Sequence, residues 1–194
     1  MMTAPLVYYE SAFHRLCAWE NVGVSLLCRP IEWPDFERLT TLIEELHQAH
    51  GAPPGLLCWL LPGFDISDIH RRKEVLRLLR LYKNKLGAFG FVLEAQSDVS
   101  RVQRKIVHTY KTLSEGAVPT GTFPNVTEAA RWLTQTLAPL PGRSGYSPEQ
   151  LKAALRLCCR ARLRGASQHP QLAIQATPMP IASRAGVEMQ QAAS

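Results

Sequence analysis

Between the apolar run LLCWLL (56–61) and the basic segment that begins at residue 69 lies PGFDISD, which holds Asp65, Ser67 and Asp68. A serine hydroxyl between two carboxylates at the start of a helix has two uses. It can take a phosphoryl group, adding about −1.5 to −2 charge at a helix N-terminus beside His70, Arg71 and Arg72. Alternatively, one of the three residues caps the helix, the commonest job for Ser and Asp at such a place. Capping is the plainer reading. Residue types that could support catalysis are present but not assembled. There is no GxSxG, no Walker sequence and no HExxH. Glu44 and Glu45 are neighbours on one helix and point apart. Glu94 ends an apolar strand, where α/β folds often place function, but no partner accompanies it in sequence. An enzyme is not expected.

The five cysteines, Cys17, Cys28, Cys58, Cys158 and Cys159, include no CxxC pair. Three sit in apolar stretches, where a free thiol behaves as a small hydrophobe. The odd number argues against a disulfide scaffold, and the vicinal Cys158–Cys159 pair diverges on a helix. His47 and His50 lie three apart without companions to complete a ligand set. No metal and no cofactor are expected.

The formal net charge of +6 is unevenly placed. Residues 69–85 hold seven Lys/Arg and one Glu, and residues 151–164 hold five Lys/Arg and no acid. Residues 32–46 are acidic: Glu32, Asp35, Glu37, Glu44 and Glu45 against Arg38. A polarised surface favours an acidic partner for one face. Arg71, Lys73, Arg77 and Arg80 form the candidate basic interaction face. Phosphates of nucleic acid or of lipid headgroups could meet it, but no aromatics interleave with the basic residues, so nucleic acid is not expected.

The elements that must carry these residues follow from periodicity. Residues 6–19 read as one strand or two short ones. A turn is expected at Asn21–Gly23, and residues 22–28 alternate as a strand. Residues 33–48 read as a helix with Pro34, Asp35 and Glu37 in its first turn and a stripe of Phe36, Leu39, Leu42/Ile43 and Leu46. Residues 56–61 read as a strand buried on both faces. A helix over 67–86 follows, with Val75, Leu78/Leu79, Tyr82 and Leu86 inward, and Gly87 is placed to stop it. Residues 88–94 are a second buried strand. A helix over 98–115, a short edge strand over 118–123 and a helix opened by the Asn125–Glu128 capping box complete the pattern. The fold class is α/β: an N-terminal hairpin, then a mostly parallel central sheet with about four helices. Residues 1–138 form this domain and 139–146 a linker. Residues 147–164 form a basic amphipathic helix, starting at Ser147-Pro148-Glu149-Gln150. Residues 165–194 are Ala/Gln/Pro-rich and expected to be disordered. That basic helix could meet an acidic partner or a membrane surface. It could equally dock on its own domain, against the acidic helix near Glu44. Trp19, Trp33, Trp59 and Trp132 could wall an apolar pocket; core packing is the commoner use, above all for Trp59.

The order of the hairpin ending GVSLLC, the strand GLLCWLLPG, the strand AFGFVLEA, VSRVQRKIVHTY and finally TFPNVTEAARWL resembles that of STAS domains, in particular the divergent bacterial STAS-like group described together with the CRAL-TRIO lipid-carrier fold. The likeness covers residues 7–137. In that regulatory family the loop after the third strand carries Asp-Ser-Ser/Thr-Gly and is phosphorylated by a partner kinase. The resemblance places Asp65 at the first position and Ser67 at the phosphorylated one, while Ile66 and Asp68 depart from the pattern. It implies a non-catalytic protein-interaction module in bacterial regulation, docking a partner protein through the loop around Ser67. The alternative is a carrier or sensor of a lipid or other apolar ligand. No run approaches the roughly 18 apolar residues of a transmembrane segment, and MMTAPLVYYE does not read as a signal peptide, so a soluble, cytoplasmic protein is expected.

Overall fold

A computed structural model describes residues 4–28, 32–61, 69–82, 84–93, 118–140 and 145–165, with the backbone alone for 69–74 and 160–165. The elements are β1 (Leu6–Glu10), β2 (His14–Trp19), β3 (Val22–Leu27), α1 (Trp33–His50), β4 (Gly55–Leu60), α2 (Ile69–Leu81), β5 (Ala88–Leu93), β6 (Thr120–Phe123), α3 (Val126–Leu137) and α4 (Pro148–Gly165). The chain is α/β, with one six-stranded mixed sheet in the order β1-β2-β3-β4-β5-β6. The helix expected at 98–115 and the tail after 165 lie outside the described residues.

β1, β2 and β3 run antiparallel, and β3 to β6 are parallel. The antiparallel part is thus a three-stranded meander rather than a single hairpin. The β2–β3 turn is Glu20–Asn21, with Glu20 in the left-handed region at φ 50°. Val22 and Gly23, expected in that turn, belong to β3. Strands laid down in sequence order with crossovers of one hand put successive helices on the same face. Accordingly α1 and α2 cover one side of β2–β5, over Leu16, Leu56, Cys58, Phe89 and Phe91. α3 and α4 cover the other side, over Cys17, Trp19, Val24, Trp59 and Val92.

The stripe expected on α1 is the one it buries: Phe36, Leu39, Leu42, Ile43 and Leu46. Gly51 ends the helix at φ 61°, its N–H donating to His47 O at 2.9 Å. α2 stops at Leu81, five residues short of the expected end. Its place is taken by a turn in which the Lys85 and Leu86 amides donate to Tyr82 O, returning the chain to β5. Gly87, expected to stop that helix, serves packing instead. A Cβ there would lie 2.9 Å from Pro53 O and 2.5 Å from Leu140 Cδ1.

Both downstream helices start on side-chain caps. Asn125 Oδ1 accepts the Glu128 amide at 2.9 Å. Ser147 Oγ accepts the Gln150 amide, and Gln150 Oε1 accepts the Ser147 amide at 2.7 Å, a reciprocal box. α4 docks on its own fold, burying Leu151, Ala154, Leu155 and Cys158, but not against the acidic helix. It packs with α3 and β3 on the opposite side of the sheet from α1. The reason is that the sheet's second face needs covering, and the apolar stripe of α4 does this. The segment leading into α4 is pinned by Tyr146, whose hydroxyl donates to buried Asn21 Oδ1 at 2.9 Å and whose ring stacks at 5.0 Å on Trp19. Tyr146→Phe leaves that acceptor buried without its donor. It is expected to cost about 1–3 kcal/mol in chemical denaturation, with little change in circular dichroism.

Candidate functional site

The first turn of α1 presents side chains in two opposed directions. Outward, Trp33 is 54% exposed, its Nε1 donating to Glu37 Oε1 one turn on at 2.9 Å. Inward, Asp35 turns toward the sheet. Its Oδ2 accepts the Glu32 amide at 3.1 Å, and its Oδ1 lies 3.1 Å from His14 Nδ1 and 3.4 Å from Arg38 Nη1. A carboxylate at a helix N-terminus is favoured by the dipole and by orphan amides. Here it also meets a cationic side chain and a buried imidazole.

His14 is 2% exposed. It pairs with Leu27, and Ser25 pairs with Leu16, so His14 and Ser25 are diagonal neighbours on one face of the antiparallel β2–β3 pair. His14 Nε2 and Ser25 Oγ are 3.0 Å apart, and Ser25 hydrogen-bonds in turn with Cys58, its partner across β4. The result is a line of polar groups, Asp35–His14–Ser25–Cys58, beneath α1. The Nδ1–Asp35 contact is close at 3.1 Å, though not aligned as a straight N–H···O bond. Burial works to raise the Asp35 pKa. The His14 and Glu32-amide hydrogen bonds, with the His14 and Arg38 charges, outweigh it, and the carboxyl lies below its usual value. Burial pushes the Cys58 thiol up to about 12, against the Ser25 hydrogen bond, which leaves it a poor nucleophile. Asp, His and Ser in line have the composition of a nucleophilic triad. Ser25, however, is fully buried in the middle of a strand under a helix, with no space in which a substrate carbonyl could meet it. The line acts as an anchor: it holds the start of α1, and therefore Trp33, against the sheet.

Beside Trp33 lies α2. The Arg77 guanidinium sits 5.8 Å from the Trp33 ring centroid, within cation–π range. Arg80 is exposed, and Leu81, one turn after Arg77, is 65% exposed. Trp33, Arg77, Arg80 and Leu81 thus form an exposed patch of aromatic, guanidinium and apolar groups across α1 and α2. Arg77 and Arg80 fall where the sequence places them. The α2 backbone carries Arg71 and Lys73, whose side chains lie outside the described residues, as do Asp65, Ser67, Asp68 and Glu94. Trp19 and Trp59 are core and Trp132 is half-buried. Trp33, His14, Ser25 and Asp35 were not read as a unit from the sequence. The available signal was the Trp33-Pro34-Asp35 start of α1, which could have flagged one residue turned out and one turned in.

The chain matches no protein-family model, no curated protein and no solved structure. Among the described residues no group of His, Cys, Asp or Glu is placed to hold a metal ion, and no helix is long and apolar enough to cross a membrane.

Because the folded Asp35 carboxyl is depressed, its contribution to stability is complete above the unfolded value near pH 4 and is lost as pH falls through the lower folded value. Asp35→Asn is expected to destabilise the protein by about 1–3 kcal/mol at pH 7. Urea denaturation at a series of pH values should show the gap between wild type and variant closing below about pH 4. A gap independent of pH would remove charge from the anchor.

Proposed function

We propose that this protein is a non-catalytic interaction module of STAS-like architecture, which docks an acidic partner protein on the α1–α2 face. The observation that carries the reading is the Trp33–Arg77 pair, flanked by exposed Arg80 and Leu81. Trp and Arg are the residue types enriched at binding hot spots, and an exposed tryptophan beside a cationic helix is a costly surface to leave without use. The order of elements supports the STAS-like part of the proposal: antiparallel strands leading into parallel strands joined by helices on one face. Asp65, Ser67 and Asp68 immediately precede α2 in the sequence. A phosphoryl group on Ser67 would add negative charge at the edge of this basic face and oppose an acidic partner. The partner recognised by this chemistry offers carboxylates for Arg77 and Arg80 and an apolar side chain to cover Trp33 and Leu81.

The test is selection from a displayed peptide library of mixed charge. Acidic peptides carrying a bulky apolar residue should be enriched. Their affinity should fall about tenfold or more in Trp33→Ala and in an Arg77→Glu/Arg80→Glu variant. It should weaken with added salt, and Ser67→Asp should weaken it too. Enrichment without an acidic bias, or binding indifferent to Trp33 and Arg77, would overturn the proposal.

A further inference from the structure

On the opposite face of the sheet, Arg15 and Cys17 lie two apart on β2, and both project toward α4. Arg15 is buried, at 4% exposed, which is rare for a guanidinium. One end pairs with Glu10 on the neighbouring strand, and Nη1 donates to the carbonyl of Cys158 on α4 at 2.9 Å. This draws α4 down over Cys17. The two thiols, 0% and 3% exposed, meet in the same packed cluster and hydrogen-bond to one another. They come from positions 17 and 158, so their meeting is a product of the fold alone.

We infer that Cys17 and Cys158 form a reversible dithiol couple that closes to a disulfide between β2 and α4. The hydrogen bond from Cys158 and the Arg15 charge favour the Cys17 thiolate, against burial and Glu10, and its pKa is lowered. Cys158 is raised by that same hydrogen bond, by burial and by the charge on Cys17. Either thiol of such a couple can open the exchange, and the other resolves it. With a peroxide as the two-electron oxidant, one thiolate attacks one oxygen, the O–O bond breaks, and a sulfenic acid and hydroxide form. The second sulfur then displaces the sulfenic hydroxyl as water, and the hydroxide takes up the proton that the attacking thiol gave up. Two thiols and one hydrogen peroxide thus become one disulfide and two waters. A thiol reductant reverses the step. Both thiols are buried under α4. Cys159, half-buried on the adjacent helical position, packs against the edge of the same cluster, and the couple proposed is Cys17 with Cys158.

The test is to treat the fully reduced chain with hydrogen peroxide and map its peptides without reduction. The expected result is a cross-linked peptide joining Cys17 to Cys158, an intact mass lower by two hydrogens, and a melting temperature raised by about 5 °C or more that dithiothreitol returns to its starting value. Cys159→Ser should leave the cross-link intact. No mass loss, a Cys158–Cys159 or Cys17–Cys159 link, or oxidation of the thiols to sulfinic acid without a cross-link would each overturn the inference. The wild-type map decides the matter by itself, so the outcome does not depend on whether a Cys17 variant folds.

Discussion

Strands β2, β3, β4 and β5 are buried along their whole length. A sheet in this state must be covered on both sides, because each strand alternates its side chains between two apolar faces. That requirement explains why α1 and α2 lie on one side and α3 and α4 on the other. It also explains why the C-terminal helix, basic as it is, is part of the fold. Without α4, the second-face residues Cys17, Trp19 and Val24 would lose the layer that seals them.

The buried sheet also contains polar side chains that an apolar interior tolerates only when they are paired. His14, Arg15, Asn21 and Ser25 all lie on β2, β3 or the turn between them. Each makes at least one such pairing with a different part of the chain, while His14 Nδ1, Arg15 Nε and Asn21 Nδ2 take no hydrogen bond. His14, backed by Ser25, reaches Asp35 at the start of α1. Arg15 reaches the Cys158 carbonyl in α4. Asn21 receives the Tyr146 hydroxyl from the segment before α4. The apolar layers supply the bulk of the cohesion, while these polar contacts select where each helix sits. The exposed Trp33 and the buried thiol pair both depend on that selection. One is set by the position of the α1 first turn, the other by the seat of α4.

The surface of the α1–α2 side combines charges of both signs in an ordered way. Glu44 takes Lys85 at 3.2 Å and the Tyr82 hydroxyl at 3.3 Å, while Arg38 lies 4.0 Å over the Tyr9 ring. Such exposed pairs add little stability on their own. Glu44 is thus held toward the far end of α1, while Glu37 of the same helix stays beside Trp33.

Much of the fold was legible in the sequence because its signals are local. The α1 stripe from Phe36 to Leu46, the LLCWLL strand, the Asn125 cap and the Ser147–Gln150 box each depend on residues within a few positions of one another, and each has one favourable local conformation. The end of α2 was misread because its stripe continues through Tyr82 and Leu86. Those residues are buried by the returning turn as well as they would be by a helix, so periodicity cannot separate the two. The candidate sites were not legible for a related reason. His14, Ser25, Asp35 and Cys58 belong to four different elements, and Cys17 and Cys158 to opposite ends of the chain. Their contacts are created by strand register and by which face each helix covers. By itself the sequence determined the helices, the buried strands and the polarised charge, all properties of neighbouring residues. Only the tertiary structure decided that α4 closes the second face, that Trp33 turns outward beside Arg77, and that two distant thiols meet, because these are long-range contacts that exist only once the sheet's two faces have been covered.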